Sequence, residues 1–275
     1  MKNISGKVVV ITGAANGIGK ALTQEFLDKG AVVWALDLDG PALVEIEKRA
    51  RKVAEPLQTL TVDVSDIDQM SATLKKIVQK TPILHCWINN AGISGLGGFM
   101  DHSLAVFEKT IRINLNGVVI GTRLAAEHME KQGQGTIVNV ASVAGHISAP
   151  YLAAYSASKH GVVGFTRALR QELKLKDSPI KLVMVSPGFV DTKMIERGTQ
   201  LGFPNWLSVL LSTPEKVAKE MMKGIEKERE EIFPTWNGKA LLQMNRIFPK
   251  LTASSSRILL AKSLKDFLLL RKTPP

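Results

Sequence analysis

Tyr155 and Lys159, in the run Tyr-Ser-Ala-Ser-Lys, could do acid–base chemistry if a helix carries them. Positions i and i+4 share one helix face. A phenol with an ordinary pKa of about 10 stays protonated at neutral pH, and a neighbouring ammonium favours its ionised form. Lys159 is spaced to supply that charge. Ser142 lies 13 residues before the tyrosine, just after an apolar run, where its hydroxyl could hold a substrate oxygen beside the phenol.

A second group of residues could bind phosphates. Thr12-Gly13-Ala14-Ala15-Asn16-Gly17-Ile18-Gly19 follows the apolar run Val8 to Ile11 and opens a segment of helical period. Gly13, Gly17 and Gly19 permit a tight turn and close backbone approach. The amino end of the helix then offers unpaired N–H groups and a positive dipole end to a pyrophosphate. Asp37 ends the next apolar run, 18 residues after Gly19, where a carboxylate can accept hydrogen bonds from ribose hydroxyls. A carboxylate there repels a 2′-phosphate, and neither Asn16 nor Leu38 supplies a cation to bind one, so NAD is expected over NADP. The alternative leaves Asp37 as a loop cap and gives the ribose to Asp39.

The elements that must position these residues alternate along the chain. Short β-branched runs (7–11, 31–36, 57–62, 84–88, 136–140, 180–185) are separated by helical periods (17–29, 41–51, 66–80, 103–131, 154–174), and 231–233 is a plausible seventh strand. Such alternation predicts βαβ units and an α/β fold. The strands read as near-continuous apolar runs, as expected when helices cover both faces of a parallel sheet. The expectation is one doubly wound, Rossmann-type domain over residues 1–235. Within it, 193–212 forms an apolar segment punctuated by Gly and Pro, read as a substrate flap. Thr213 and Pro214 start a helix after that segment. Residues 236–275 form a basic, apolar C-terminal extension.

Together these motifs identify the chain as resembling the short-chain dehydrogenase/reductase family, from about Gly6 to Phe233. The matching residues are Thr12 to Gly19, Asp63-Val64, Asn89-Asn90-Ala91-Gly92, Asn114, Ser142, Tyr155 with Lys159, and Pro187-Gly188 followed by Thr192. The resemblance implies roles. Asp63 would contact the adenine amino group with Val64 beside it, and Asn90, Ala91 and Gly92 would line the cofactor site. Asn114 would hold a water through its backbone, completing a proton relay with Ser142, Tyr155 and Lys159. Lys159 would also bind the nicotinamide ribose. Pro187, Gly188 and Thr192 would lie along the nicotinamide. No catalytic position is substituted, which implies an active enzyme. Family members are commonly dimers or tetramers built on helices matching 103–131 and 154–174, so a homodimer or homotetramer is expected, with the extension departing from the minimal pattern.

The chain has 275 residues, and a single α/β domain of that size buries a sizeable core. One cysteine, Cys86, excludes an internal disulfide and a thiolate metal cluster, and it reads as a small core residue. The histidines show no metal-ligand spacing, and the chemistry needs no metal. His146 falls close enough to Ser142 to border a substrate, although a lone histidine is more often an ordinary packed or solvated one. No signal peptide or membrane-spanning run is read, so a cytoplasmic protein is expected. The net charge of +11 is concentrated at the end of the chain: residues 236–275 hold eight Lys and Arg against one acid, Asp266. A solvated basic tail, peripheral contact with anionic lipid and an acidic partner all fit this charge. Nucleic acid does not, because aromatics are not interleaved with the basic residues. Ile93, Leu96, Phe99 and the flap favour a bulky apolar secondary alcohol or ketone as substrate. Two other readings are an NADPH-dependent 3-oxoacyl-carrier-protein-type reductase, which Asp37 opposes, and a cofactor-loaded, membrane-associated binding protein.

Overall fold

The β-branched and apolar runs form seven parallel strands. In the computed structural model, which describes residues 1, 3–52, 56–101, 103–148, 150–191 and 211–248, they are β1 (Val8–Thr12), β2 (Val32–Asp37), β3 (Leu57–Thr61), β4 (Cys86–Asn89), β5 (Gly135–Val140), β6 (Ile180–Val185) and β7 (Glu231–Ile232). Their order is β3-β2-β1-β4-β5-β6-β7. Alternate side chains of each strand feed opposite faces. Val9 and Ile11 join Leu22, Phe26, Met221 and Ile225 on one side. Val8 and Val10 join Trp34, Met70, Ile77 and Met129 on the other. The core is therefore two apolar layers, one on each face of the sheet, as the sequence pattern predicts.

The helices are α1 (Gly17–Asp28), α2 (Gly40–Lys52), α3 (Ile67–Lys80), α4 (Leu104–Ile111), α5 (Gly117–Gln132), α6 (Ala153–Leu175), α7 (Pro214–Glu226) and α8 (Trp236–Ile247). Thr213 caps α7 as expected, its side chain accepting from the Lys216 amide. The long helical stretch expected over 103–131 is instead α4 and α5 joined by a π turn at Arg112–Asn116. Such turns insert one residue into a helix and concentrate at functional sites. The extension opens with a helix, α8, capped by the Thr235 side chain, which accepts from the Gly238 amide. The flap over 193–212 lies outside the described residues apart from Leu211 and Ser212, as does the extension after Phe248.

Two buried asparagines interrupt the apolar strands. Asn89 and Asn139 are register partners on β4 and β5. Asn89 donates to Asn139 Oδ1 at 2.9 Å and to Thr122 Oγ1 at 3.0 Å, and Asn139 donates to Thr166 Oγ1 at 3.1 Å. Trp87 Nε1 donates to Asn89 Oδ1 at 2.8 Å. A buried network with its donors paired ties α5 and α6 to the middle of the sheet. A slip of one residue between β4 and β5 would leave these amides unpaired.

Candidate active site

The carboxyl ends of β1 and β4 diverge at the switch point of the sheet, where doubly wound folds bind ligands. The turn from β1 into α1 lies there, shaped by glycines. Gly13 has φ +66°, and a Cβ on it would stand 2.7 Å from Ala91 Cα. A Cβ on Gly19 would stand 2.0 Å from the Gly13 carbonyl oxygen. Asn90 locks the turn from the β4 side: its Nδ2 donates to the carbonyls of Thr12 and Gly13 at 3.0 and 3.1 Å. The amides of Asn90 and Ala91 both donate to Thr12 Oγ1. No side chain caps the first turn of α1, since Asn16 at the N-cap makes no capping hydrogen bond.

Asp37 ends β2 beside this turn, half-buried. One carboxylate oxygen accepts from the Ala15 amide at 2.9 Å and the other from the Asp39 amide at 3.0 Å. It therefore caps the following loop, as the alternative reading supposed, and also reaches the glycine turn. Asp39 is engaged as a cap of its own, accepting from the Ala42 amide at 3.1 Å. Asp63 accepts from the amide and hydroxyl of Ser65. Val64 is buried, and a Cβ on Gly117 would meet its side chain at 2.9 Å. Ile18 is partly buried against the core.

These residues fit a dinucleotide. The close approaches at Gly13 and Gly19 leave the backbone bare, the uncapped amides of α1 suit a pyrophosphate, and Asp37 suits a ribose.

The acid–base residues meet a short way along the same edge. Tyr155 and Lys159 share one face of α6, and Lys159 Nζ lies 5.7 Å from the centre of the tyrosine ring. Lys159 is buried and donates to the Val140 carbonyl at 2.8 Å. Burial pushes its ammonium down to about 8, which leaves it mostly charged at neutral pH. Tyr155 keeps part of its surface accessible. The protein packed around it raises its pKa from the ordinary tyrosine value, and a hydrogen bond with Ser142 pulls the other way. Ser142 follows β5, its Oγ accepting from the Ala144 amide at 3.1 Å and facing the Pro187 carbonyl at 3.4 Å.

Asn114 sits fully buried in the π turn and exchanges hydrogen bonds with Ile93, each 2.8 Å long. It also donates to Ser158 Oγ at 3.1 Å, one residue before Lys159. A Cβ on Gly92 would lie 3.1 Å from Asn114 Oδ1 and 3.7 Å from Lys159 Nζ. The β4 loop, the π turn and α6 thus converge on the lysine.

Pro187 and Gly188 follow β6, and two residues that no motif contains hold Gly188 and its neighbour Phe189. Thr235 Oγ1 accepts from the Gly188 amide at 2.9 Å while also capping α8. The Phe189 carbonyl accepts from Asn237 Nδ2 at 3.1 Å and from the Ser212 amide at 3.0 Å. A Cβ on Gly188 would stand 2.2 Å from Asn237 Oδ1 and 2.7 Å from Thr235 Oγ1. The only sequence signal for this contact is a cap pattern, Thr235 three residues before Gly238. Thr192 lies outside the described residues. His146 is engaged within the protein: its Nε2 is 3.0 Å from Ser186 Oγ and its ring packs 5.5 Å from that of Phe233. Burial and the neighbouring Arg167 lower its pKa, Glu231 opposing them. Cys86 is fully buried and its thiol pushed up to about 12, the inert core residue expected. Among the described residues no acidic, histidine and cysteine side chains group as a metal site would need, and no helix is long and apolar enough to cross a membrane.

A glycine turn at the switch point and a Tyr–Lys pair beside a serine stand along one edge of a doubly wound sheet. The family profile for short chain dehydrogenase matches residues 7–200, and the chain belongs to that family. It is 38% identical over 208 residues to the NAD(+) 15-hydroxyprostaglandin dehydrogenase of Bos taurus, covering 73% of this chain and 75% of the relative. It is 35% identical over 223 residues to the 3-oxoacyl-acyl-carrier-protein reductase FabG of Thermotoga maritima, covering 80% and 90%. A crystal structure of a short chain dehydrogenase/reductase from Burkholderia phymatum in complex with NAD superposes with a TM-score of 0.83 at 26% identity. That match covers 91% of this chain and 96% of the other. The chain is a short-chain oxidoreductase.

Proposed function

We propose that this oxidoreductase transfers a hydride between NAD(H) and a bulky apolar secondary alcohol or the matching ketone, with Tyr155 as general acid and base. The observation that carries the reading is the buried Lys159 ammonium 5.7 Å from the Tyr155 ring, with Ser142 hydrogen-bonded to the phenol. When bound, the nicotinamide supplies the hydride acceptor for oxidation and the donor for reduction.

The chain's residues do the rest. In oxidation, ionised Tyr155 takes the hydroxyl proton as the hydride leaves the same carbon; in reduction, the phenol returns that proton to the carbonyl oxygen. Ser142 holds the substrate oxygen beside Tyr155. Lys159 stabilises the ionised phenol and holds the nicotinamide ribose, and Asn114 orients the lysine's surroundings. Pro187, Gly188 and Thr192 border the nicotinamide. Gly13, Asn16, Gly17, Ile18 and Gly19 take the pyrophosphate, Asp37 the adenosine ribose, and Asp63 with Val64 the adenine.

The Asp37 carboxylate, with no cation at Asn16 or Leu38, supports NAD over NADP, and the bovine relative's NAD(+) designation agrees. An apolar substrate is supported by the apolar side chains Ile93, Leu96 and Phe99 that follow the Asn-Asn-Ala-Gly segment. Phe99 packs edge to face on Phe107, their centres 6.3 Å apart. We place the working assembly as a homo-oligomer in the cytoplasm, with residues 1–235 as the catalytic domain.

Absorbance-followed turnover with NAD and NADP in parallel, against apolar secondary alcohols and ketones, tests the reading. Tyr155→Phe is expected to lower turnover by about 10³-fold while NAD affinity changes less than about threefold. Activity in that variant within about tenfold of the wild type would overturn the assignment.

A further inference from the structure

We infer that the outward face of α8 docks on an anionic lipid surface. Trp236, Ala240, Met244 and Ile247 recur at steps of four, four and three, which aligns them in one stripe. Trp236 is 63% exposed, Met244 46% and Ile247 63%, and Phe248 just past the helix is 56% exposed. Single exposed apolar residues are ordinary; an aligned row ending in a tryptophan is not. The other side of the helix is already seated, with Asn237 and Gly238 buried against Gly188.

Charge decides among the possible occupants. Lys239 and Arg246, seven residues apart, run along one flank of the stripe, and α8 contains no acid. Glu220, a carboxylate on which Lys239 acts, is already paired with Lys223 at 2.6 Å and also feels Arg229. The chain that follows, 249–275, carries six Lys and Arg against Asp266. Folding that segment back over α8, or apposing the same face of a second copy, would set cations against cations. An anionic bilayer surface answers both features, since the row can enter the headgroup boundary while the flanking cations meet lipid phosphates. The helix is too short and too polar to span, so the contact is in the plane of the surface.

Sedimentation of the full-length chain with vesicles tests this, comparing phosphatidylcholine alone with mixtures containing phosphatidylglycerol. Binding is expected only to the anionic vesicles and is expected to weaken as salt rises. Ile247→Glu is expected to reduce it by about tenfold or more, and Lys239→Gln or Arg246→Gln by about fivefold each, with melting temperature and turnover unchanged. If Ile247→Glu unfolds, Met244→Glu serves as the second probe of the stripe. Equal binding by wild type and these variants, equal binding to neutral vesicles, or no sedimentation at all would each overturn the inference. So would a wild-type oligomer that ignores vesicles and is dissolved by Ile247→Glu, or capture by an acidic polypeptide in place of lipid.

Discussion

The two halves of the sheet's carboxyl edge are held in different ways. On β1, β2 and β4, motif residues hold one another: Asn90 grips the glycine turn and Asp37 caps it from the neighbouring strand. After β5, motif residues again meet, Ser142 at the Pro187 carbonyl, and Lys159 donates to that of Val140. The residues that follow β6, however, are held by distant partners outside any motif. Gly188 hangs on Thr235, Phe189 on Asn237, and Ser186 on His146. The first half behaves as a rigid backbone mould whose tolerance is set by hard-sphere distance. The second is a set of polar contacts, each worth a modest amount and open to conservative rescue.

The sharpest way to break the mould is Gly19→Ala. Its new Cβ would lie 2.0 Å from the Gly13 carbonyl oxygen, a backbone atom with no room to move. The variant is expected to lose cofactor binding by titration and about 3 kcal/mol of stability by denaturant unfolding.

Lys159→Met comes next and acts in opposite senses on activity and stability. It should abolish turnover, yet stabilise the cofactor-free chain at pH 7 by about 2 kcal/mol, because the buried ammonium costs more than its hydrogen bond to Val140 returns. The sign follows from titration near 8 in the folded chain against an ordinary 10.5. Below pH 8 both states carry the proton and the cost is constant. Between 8 and 10.5 the unfolded chain binds more protons, so wild-type stability rises with pH and the gap to Lys159→Met closes. Thermal melts across that window would show it.

On the other half, Thr235→Val keeps the shape of the side chain but removes the acceptor for the Gly188 and Gly238 amides. KM for the nicotinamide is expected to rise about tenfold with kcat within about twofold, and Thr235→Ser should restore it. Failure of rescue by serine would place the effect in packing. The smallest change is expected from His146→Gln: turnover within about threefold of wild type, and an unaltered pH–rate profile above pH 7, since the ring is already held neutral there.

This contrast matches what could be read before folding. The order of strands and helices, the glycine turn, Asp37 and the Tyr155–Lys159 pair were all legible, because each depends on neighbours within a few residues or on a fixed helical or strand period. So were the roles of Cys86 as core and Thr213 as a cap. The π turn that buries Asn114 was not: 103–131 reads as one helical stretch, and the extra residue at Arg112–Asn116 shows only in the backbone hydrogen bonding of the folded chain. Nor was the partner of His146, Ser186, which lies 40 residues away in sequence. The anchoring of Gly188 and Phe189 by Thr235 and Asn237 joins residues 47 and 48 positions apart. Local spacing carries the chemistry and the succession of elements; only closure of the sheet, with β6 and β7 side by side, brings α8 under the turn it supports.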